Sequence, residues 1–123
     1  MPEPPLILAV DRNRRNLELL TQFLTREGYQ VQGVASAEEL DQVLAASTQI
    51  DLALIDLAGF DRSIWERCEQ LRRREIPFLI LSPRQSLALQ QESLAHGARG
   101  VLVKPLAVRE LLGIMQSLLE ESV

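Results

Sequence analysis

The chain is poor in the residues that staple or metallate small proteins. Of its 123 residues one is cysteine and one is histidine. Cys68 alone can form neither a disulfide framework nor a cysteine-based zinc site, and His96 alone excludes a multi-histidine centre. No apolar run approaches the roughly 18 residues of a membrane span. The opening Met-Pro-Glu-Pro-Pro has no basic stretch ahead of its first apolar run, so it does not read as a signal peptide. Linkers, repeats and low-complexity tracts are lacking as well. The net charge of −4 argues mildly against a dedicated nucleic-acid binder, which would normally carry a basic face. A chain of this length can bury roughly two-thirds of its unfolded surface without staples. One cytoplasmic domain over residues 1–123 is therefore expected, its core at about 6–120, with no membrane or direct nucleic-acid partner.

What is present is an alternation. Leu6–Val10 is a continuous apolar run, the mark of a strand buried on both faces. Residues 16–27 set Leu17, Leu20, Phe23 and Leu24 at helical spacing, and Gly28 is placed to end that helix. Residues 29–34 alternate weakly, as an outer strand does. Ser36-Ala-Glu-Glu39 reads as a capping box that opens a second helix. Residues 51–55 form another buried strand that runs into Asp56. After a loop over 57–62, Ser63-Ile-Trp-Glu66 predicts a second capping box and a helix to about Arg73. Residues 76–81 give a fourth strand, ended by Ser82-Pro83. A weakly amphipathic helix over 85–96 stops at Gly97. A short strand at 101–103 leads to Lys104-Pro105, where a cis peptide is a possibility. The last helix lines Val108, Leu111, Leu112, Met115, Leu118 and Leu119 along one stripe.

Five strands that alternate with five helices predict an α/β fold, a three-layer doubly wound (βα)5 domain with right-handed crossovers. The expected order is 2-1-3-4-5, the flavodoxin-like arrangement. Ligands of such sheets bind beyond the carboxyl ends of the strands, near the switch in strand order. That rule selects Asp11 and Arg12, Asp56, Ser82 and Lys104. Any one of them could be a loop residue. Asp11 could cap the first helix, and Ser82 before Pro83 could form a plain hydroxyl-bonded turn. Two carboxylates, a hydroxyl and an ammonium at four strand ends are a more specific set.

In LILAVDRNRRNLELL, DLALIDL, ILS and GVLVKPL, the chain resembles the receiver domains of response regulators, chemotaxis-regulator-like modules of two-component signalling. The resemblance extends over essentially the whole of residues 6–120. It implies that Asp56 accepts a phosphoryl group from a histidine kinase or phosphotransfer protein. Ser82 and Lys104 would then hold the phosphoryl oxygens. It also implies a magnesium ion held by Asp11, Asp56 and the backbone carbonyl of Ala58. Such a module is a phosphoprotein switch rather than an enzyme, and it acts as a monomer or weak homodimer. With nothing after the fifth helix within these residues, output is expected through a protein partner on the face of the fourth helix, fifth strand and fifth helix.

The residue types are chemically apt apart from any resemblance. A positioned aspartate is a workable nucleophile toward phosphorus. Charge on phosphoryl oxygens calls for cations and donors, and magnesium takes carboxylates, carbonyls and retained waters.

The chain departs from that family at several places. Arg12 stands where a second acidic residue is usual, and a guanidinium cannot ligate a metal. It can instead pair with Asp56, in competition with a magnesium ion, and a phosphorylation-independent pseudo-receiver in which Arg12 replaces the metal charge is the alternative function. The loop after Asp56 lacks a Pro-Gly step, and Val101 replaces a usual aromatic. A small flavin- or nucleotide-binding protein is disfavoured, because no glycine follows the first strand and no Asp-x-Asp motif starts at Asp56. Trp65 and Phe60 are read as core residues, with a partner surface as the other reading, and Cys68 as a small buried hydrophobe. His96 is expected to serve its helix's C-terminus, and Arg72–Arg74 to form a solvated helix end.

Overall fold

A computed structural model of the chain describes residues 3–121. Its elements follow in the order β1 (Leu6–Val10), α1 (Arg14–Arg26), β2 (Gln30–Val34), α2 (Ala37–Ala45), β3 (Leu52–Asp56), α3 (Ile64–Arg73), β4 (Phe78–Ser82), α4 (Leu87–Ala95), β5 (Gly100–Val103) and α5 (Val108–Glu121). All neighbouring strands pair in parallel, in the order β2-β1-β3-β4-β5. The expected doubly wound architecture is the observed one.

Side chains of a strand alternate between the two faces of the sheet, and here both faces are covered. Leu8, Val10, Ala53, Ile55, Phe78 and Ile80 point into a core shared with Leu40, Ile64, Trp65, Cys68 and Leu71 of α2 and α3. Ile7, Leu52, Leu54, Leu79, Leu81 and Leu102 point the other way, onto Leu24 of α1 and Leu111, Met115 and Leu118 of α5. This two-sided burial is why the inner strands read as unbroken apolar runs. β2 lies at the edge and exposes Gln30 and Gln32. Gly33 lets α1 close onto it, since a Cβ there would sit 3.3 Å from the Leu17 side chain.

Three helices end in the same way. In α1, Tyr29 N–H bonds Leu24 O and Gly28 N–H bonds Thr25 O, with Gly28 at φ +95°. In α4, Ala98 and Gly97 repeat the pair on Ser93 and Leu94. This is the Schellman pattern, which needs a left-handed residue just past the cap. In α3, Ile76 and Glu75 make the same two bonds to Leu71 and Arg72, but the left-handed residue is Glu75, at φ +59°.

Some local expectations need correction. Ser63 does not open a capping box: it has helical φ −64°, ψ −14°, and its side chain makes no cap bond. The Asp61 carboxylate, a stronger acceptor two residues upstream, takes both the Ser63 N–H (2.9 Å) and the Ser63 hydroxyl. Arg67 then donates to Ser63 Oγ at 2.8 Å. At α2 the Ser36 cap does form, and Glu39 reaches back to the Ala35 N–H. The His96 ring does not serve its own helix end. It stacks on Trp65, with centroids 4.8 Å apart and planes at 11°, and its Nδ1 lies 3.0 Å from Glu69 Oε2. The carbonyl of Ala95, the last residue of α4, is taken by Arg72 instead, at 3.2 Å. Arg74 likewise donates to Leu44 O of α2 and to Thr48 O. The basic run is exposed, yet it braces two neighbouring helix ends.

A non-glycine residue in the left-handed region costs about 1–2 kcal/mol, partly offset by glycine's greater freedom in the unfolded chain. Glu75→Gly is therefore expected to stabilise the fold, by up to about 1 kcal/mol, read as a higher urea midpoint at unchanged m-value.

Candidate functional site

The strand register sets the site. Val10 pairs with Ile55, which puts Asp11, one residue past β1, level with Asp56 at the end of β3. Ser82 ends β4, and Lys104 follows β5 directly. The structure thus brings Asp11, Asp56, Ser82 and Lys104 to one end of the sheet. Asp11, Asp56 and Ser82 are 5%, 1% and 1% exposed. The Lys104–Pro105 peptide is cis.

Each buried polar atom here has a partner, as burial requires. Lys104 Nζ meets Asp56 Oδ2 in an ion pair. The Ala58 N–H donates to Asp56 Oδ1 at 2.9 Å, so the first turn of the loop folds back onto the carboxylate. Asp11 Oδ1 accepts the Asn13 N–H at 2.8 Å. The cap of α1 is Asn13, whose side chain accepts from Asn16 N–H, and not Asp11. The Ser82 hydroxyl donates to Arg84 O at 2.6 Å and accepts from Arg84 N–H at 3.3 Å. In this conformation it closes a tight turn toward α4.

Burial pushes the Asp11 carboxyl above the ordinary carboxylate range. The Asn13 amide opposes that rise, the neighbouring Asp56 charge adds to it, and Lys104 moderates it. Two carboxylates level with each other on adjacent strands suit a small hard cation. No cluster of three His, Cys, Asp or Glu side chains that could hold a metal occurs among the described residues. A cation at this point would thus depend on two carboxylates, a carbonyl and water, which matches how magnesium is usually held.

Arg12 is not on Asp56. Its guanidinium lies over the Phe60 ring, 5.6 Å from the centroid, and Lys104 holds the carboxylate. The cause is local. Gly59 has φ +84° and no side chain, and a Cβ there would sit 3.2 Å from Arg12 Cγ. The Arg12 stem therefore runs across residue 59 to the aromatic face. Phe60 was not legible as a partner of Arg12, since 48 residues of chain separate them. Asp61, a possible acid for the pocket, faces Ser63, whose hydroxyl and amide hold its carboxyl below the ordinary range. Val101 is half-buried against the core on the α3 side. Burial pushes the Cys68 thiol up to about 12, which makes it a packing residue rather than a nucleophile.

Beside the pocket, a cavity of about 490 Å3 opens between α1 and α5, floored by Asp11 and Lys104 and walled by Leu19, Phe23, Leu106 and Val108. No helix among the described residues is long and apolar enough to cross a membrane.

Fold and pocket together define a flavodoxin-like α/β module with an acid–lysine site at its strand ends. Comparison with known proteins narrows that class. The profile of the response regulator receiver domain matches residues 7–116. The chain is 35% identical over 122 residues to the response regulator MprA of Mycolicibacterium vanbaalenii, covering 97% of this chain and 52% of that protein. It is 33% identical to the transcriptional regulatory protein GltR of Pseudomonas aeruginosa, over 94% of this chain and 49% of that one. The chain thus spans about half the length of these curated relatives. Among solved structures, the CheY-like receiver domain protein of Methanospirillum hungatei JF-1 superposes with a TM-score of 0.85 at 29% identity, over 96% of this chain and 95% of that one. The chain belongs to the response regulator receiver domain family, the signalling modules of two-component systems, in which phosphorylation on aspartate is typical.

The Asp11 environment carries a pH signature. A carboxyl whose folded pKa is raised favours the fold when protonated, so its penalty is absent below the unfolded value of 3.8 and grows as pH rises through the folded value. Asp11→Asn keeps the acceptor for Asn13 and removes the charge. Urea unfolding is expected to show the variant more stable than wild type at pH 7, with the gain vanishing by pH 3.

Proposed function

We propose that this receiver accepts a phosphoryl group on Asp56 from a histidine kinase or phosphotransfer protein and signals by protein–protein contact. One observation carries the reading: a nearly fully buried Asp56 carboxylate at the end of β3, with the Lys104 ammonium on one oxygen and the Ala58 amide on the other. Lys104 is in place to follow a phosphoryl oxygen as charge moves outward from the carboxylate. Ser82, on the adjacent strand, can turn its hydroxyl from Arg84 O to another acceptor by rotation about χ1.

Magnesium would be held by Asp11, Asp56 and the Ala58 carbonyl, and it would supply counter-charge to the phosphoryl oxygens during transfer. The residues themselves exclude bulk water, orient the carboxylate and supply one fixed cation. The partner surface is the face of α4, β5 and α5, where Leu87 and Leu94 of α4 and Val103 of β5 are exposed, 70%, 48% and 40% respectively. Exposed apolar side chains on elements that lie side by side suit a transient interface. The module acts in the cytoplasm as a monomer or weak homodimer, with no direct contact to nucleic acid or membrane.

Incubation with acetyl phosphate and Mg2+ is expected to add one phosphoryl mass to the intact protein and none to Asp56→Asn. Absence of an adduct with acetyl phosphate, phosphoramidate and a phosphorylated phosphotransfer protein alike would overturn this reading in favour of a phosphorylation-independent module.

A further inference from the structure

Among the strand-end cations, Arg12 is the one that the acid–lysine site leaves unused. Arg14 pairs with Glu39, Arg15 with Glu18 and Lys104 with Asp56, whereas Arg12 makes no ion pair among the described residues. It is exposed, and it is parked on a ring rather than on a carboxylate. Its position is nevertheless at the mouth of the pocket. Asp11 is level with Asp56 on the adjacent strand, and paired strands run about 4.8 Å apart, so Arg12 starts one residue beyond the carboxylate. Its stem crosses Gly59, three residues after Asp56. Its charge is already felt in that loop, where it helps to hold the Asp61 carboxyl down.

We propose that Arg12 is a phosphoryl-binding residue: its guanidinium leaves the Phe60 ring for the phosphoryl oxygens on Asp56, so that the site accepts phosphate with little dependence on divalent metal. The inference rests on the receiver reading above and assigns a role to the residue that departs from the family pattern. While Asp56 is an ordinary carboxylate, Lys104 and the Ala58 amide satisfy it, and Arg12 has no reason to leave the ring. A phosphoryl group brings additional negative charge and three acceptor oxygens. Lys104 supplies only one cation to meet them. Arginine presents a planar fork that suits phosphoryl oxygens in a bidentate contact. Phe60 thus serves as the resting seat of a mobile cation, and Gly59, lacking a side chain, leaves room for the Arg12 stem that passes over it.

The transfer balances with acetyl phosphate as donor. An Asp56 carboxylate oxygen forms a bond to phosphorus while the bond from phosphorus to the bridging oxygen breaks. Acetate departs with the electron pair, and no proton has to move. Arg12 and Lys104 face the negative charge that stays on the phosphoryl oxygens throughout.

The test compares wild type, Arg12→Ala, Arg12→Lys and Phe60→Leu in acetyl phosphate, with Mg2+ and with EDTA, by intact mass over time. Wild type is expected to label in EDTA, and Arg12→Ala to label there about 100-fold more slowly, the usual loss when one preorganised donor to a developing anion is removed. Arg12→Lys should fall between them, and Phe60→Leu should label in EDTA at least as fast as wild type, because it removes the seat that holds Arg12 away from the site. In parallel, the Arg12 Nε–Hε resonance, displaced at rest by the Phe60 ring, should shift on phosphorylation. Labelling of wild type with Mg2+ but not with EDTA, equal metal-free rates for wild type and Arg12→Ala, or an unmoved Arg12 resonance would overturn the role of Arg12 and leave the receiver reading standing. A wild type that labels under neither condition would overturn the role of Arg12, and one that also fails to label with phosphoramidate and with a phosphorylated phosphotransfer protein would overturn both.

Discussion

A carboxylate that is 1% exposed at the end of a central strand is the constraint around which this structure is arranged. An unpaired charge in such a place would be strongly unfavourable, so Asp56 needs a cation delivered from elsewhere in the chain. Lys104 delivers it from across the sheet. That is possible only because β4 and β5 lie in order beyond β3, with the Lys104 N–H anchored on Ser82 O at 2.8 Å. Under the proposed function, the same placement gives the ion pair a second role. The lysine stands just beyond the atoms that would receive a phosphoryl group, so the device that makes the buried charge tolerable is also a ready oxyanion partner.

The architecture was legible because every level of the sequence agreed on it. Apolar runs mark β1, β3 and β4, helical stripes mark α1 and α5, and glycines at 28 and 97 stand where left-handed residues end their helices. The strand-end rule then follows from topology, and it assigns Asp11, Asp56, Ser82 and Lys104 to one end of the sheet, where the structure has them. What the sequence hid was competition between near-equal partners. Ser63 matches a capping box, yet Asp61 lies two residues upstream and offers a charged acceptor, so the hydroxyl is drawn away from the helix amides. His96 follows a helix end, yet a flat indole and a glutamate on α3 lie within its reach. Glu75 occupies a glycine-type position because α3 must turn into β4 there, and no residue pattern announces it. In each case a long-range or charged partner defeats a local rule that was sound in itself.

Arg12 is the most instructive of these cases. A charge argument based on sequence assigns it to Asp56, since two opposite charges at ~4 Å attract by about 4 kcal/mol at an effective dielectric of ~20. That figure neglects two things visible in the structure. Lys104 already occupies one carboxylate oxygen, and the second accepts an amide. A second cation would therefore meet a largely neutralised group and would still lose its hydration. Over Phe60 the guanidinium keeps most of its water and gains about 0.5–1 kcal/mol from the ring. The balance between the two seats is small, and it depends on how much negative charge the pocket holds. Added phosphoryl charge is worth several times the ring contact on the same Coulomb scale. Weak retention on an aromatic is thus the property that lets one residue tell an empty site from a charged one, which a residue locked in an ion pair could not do.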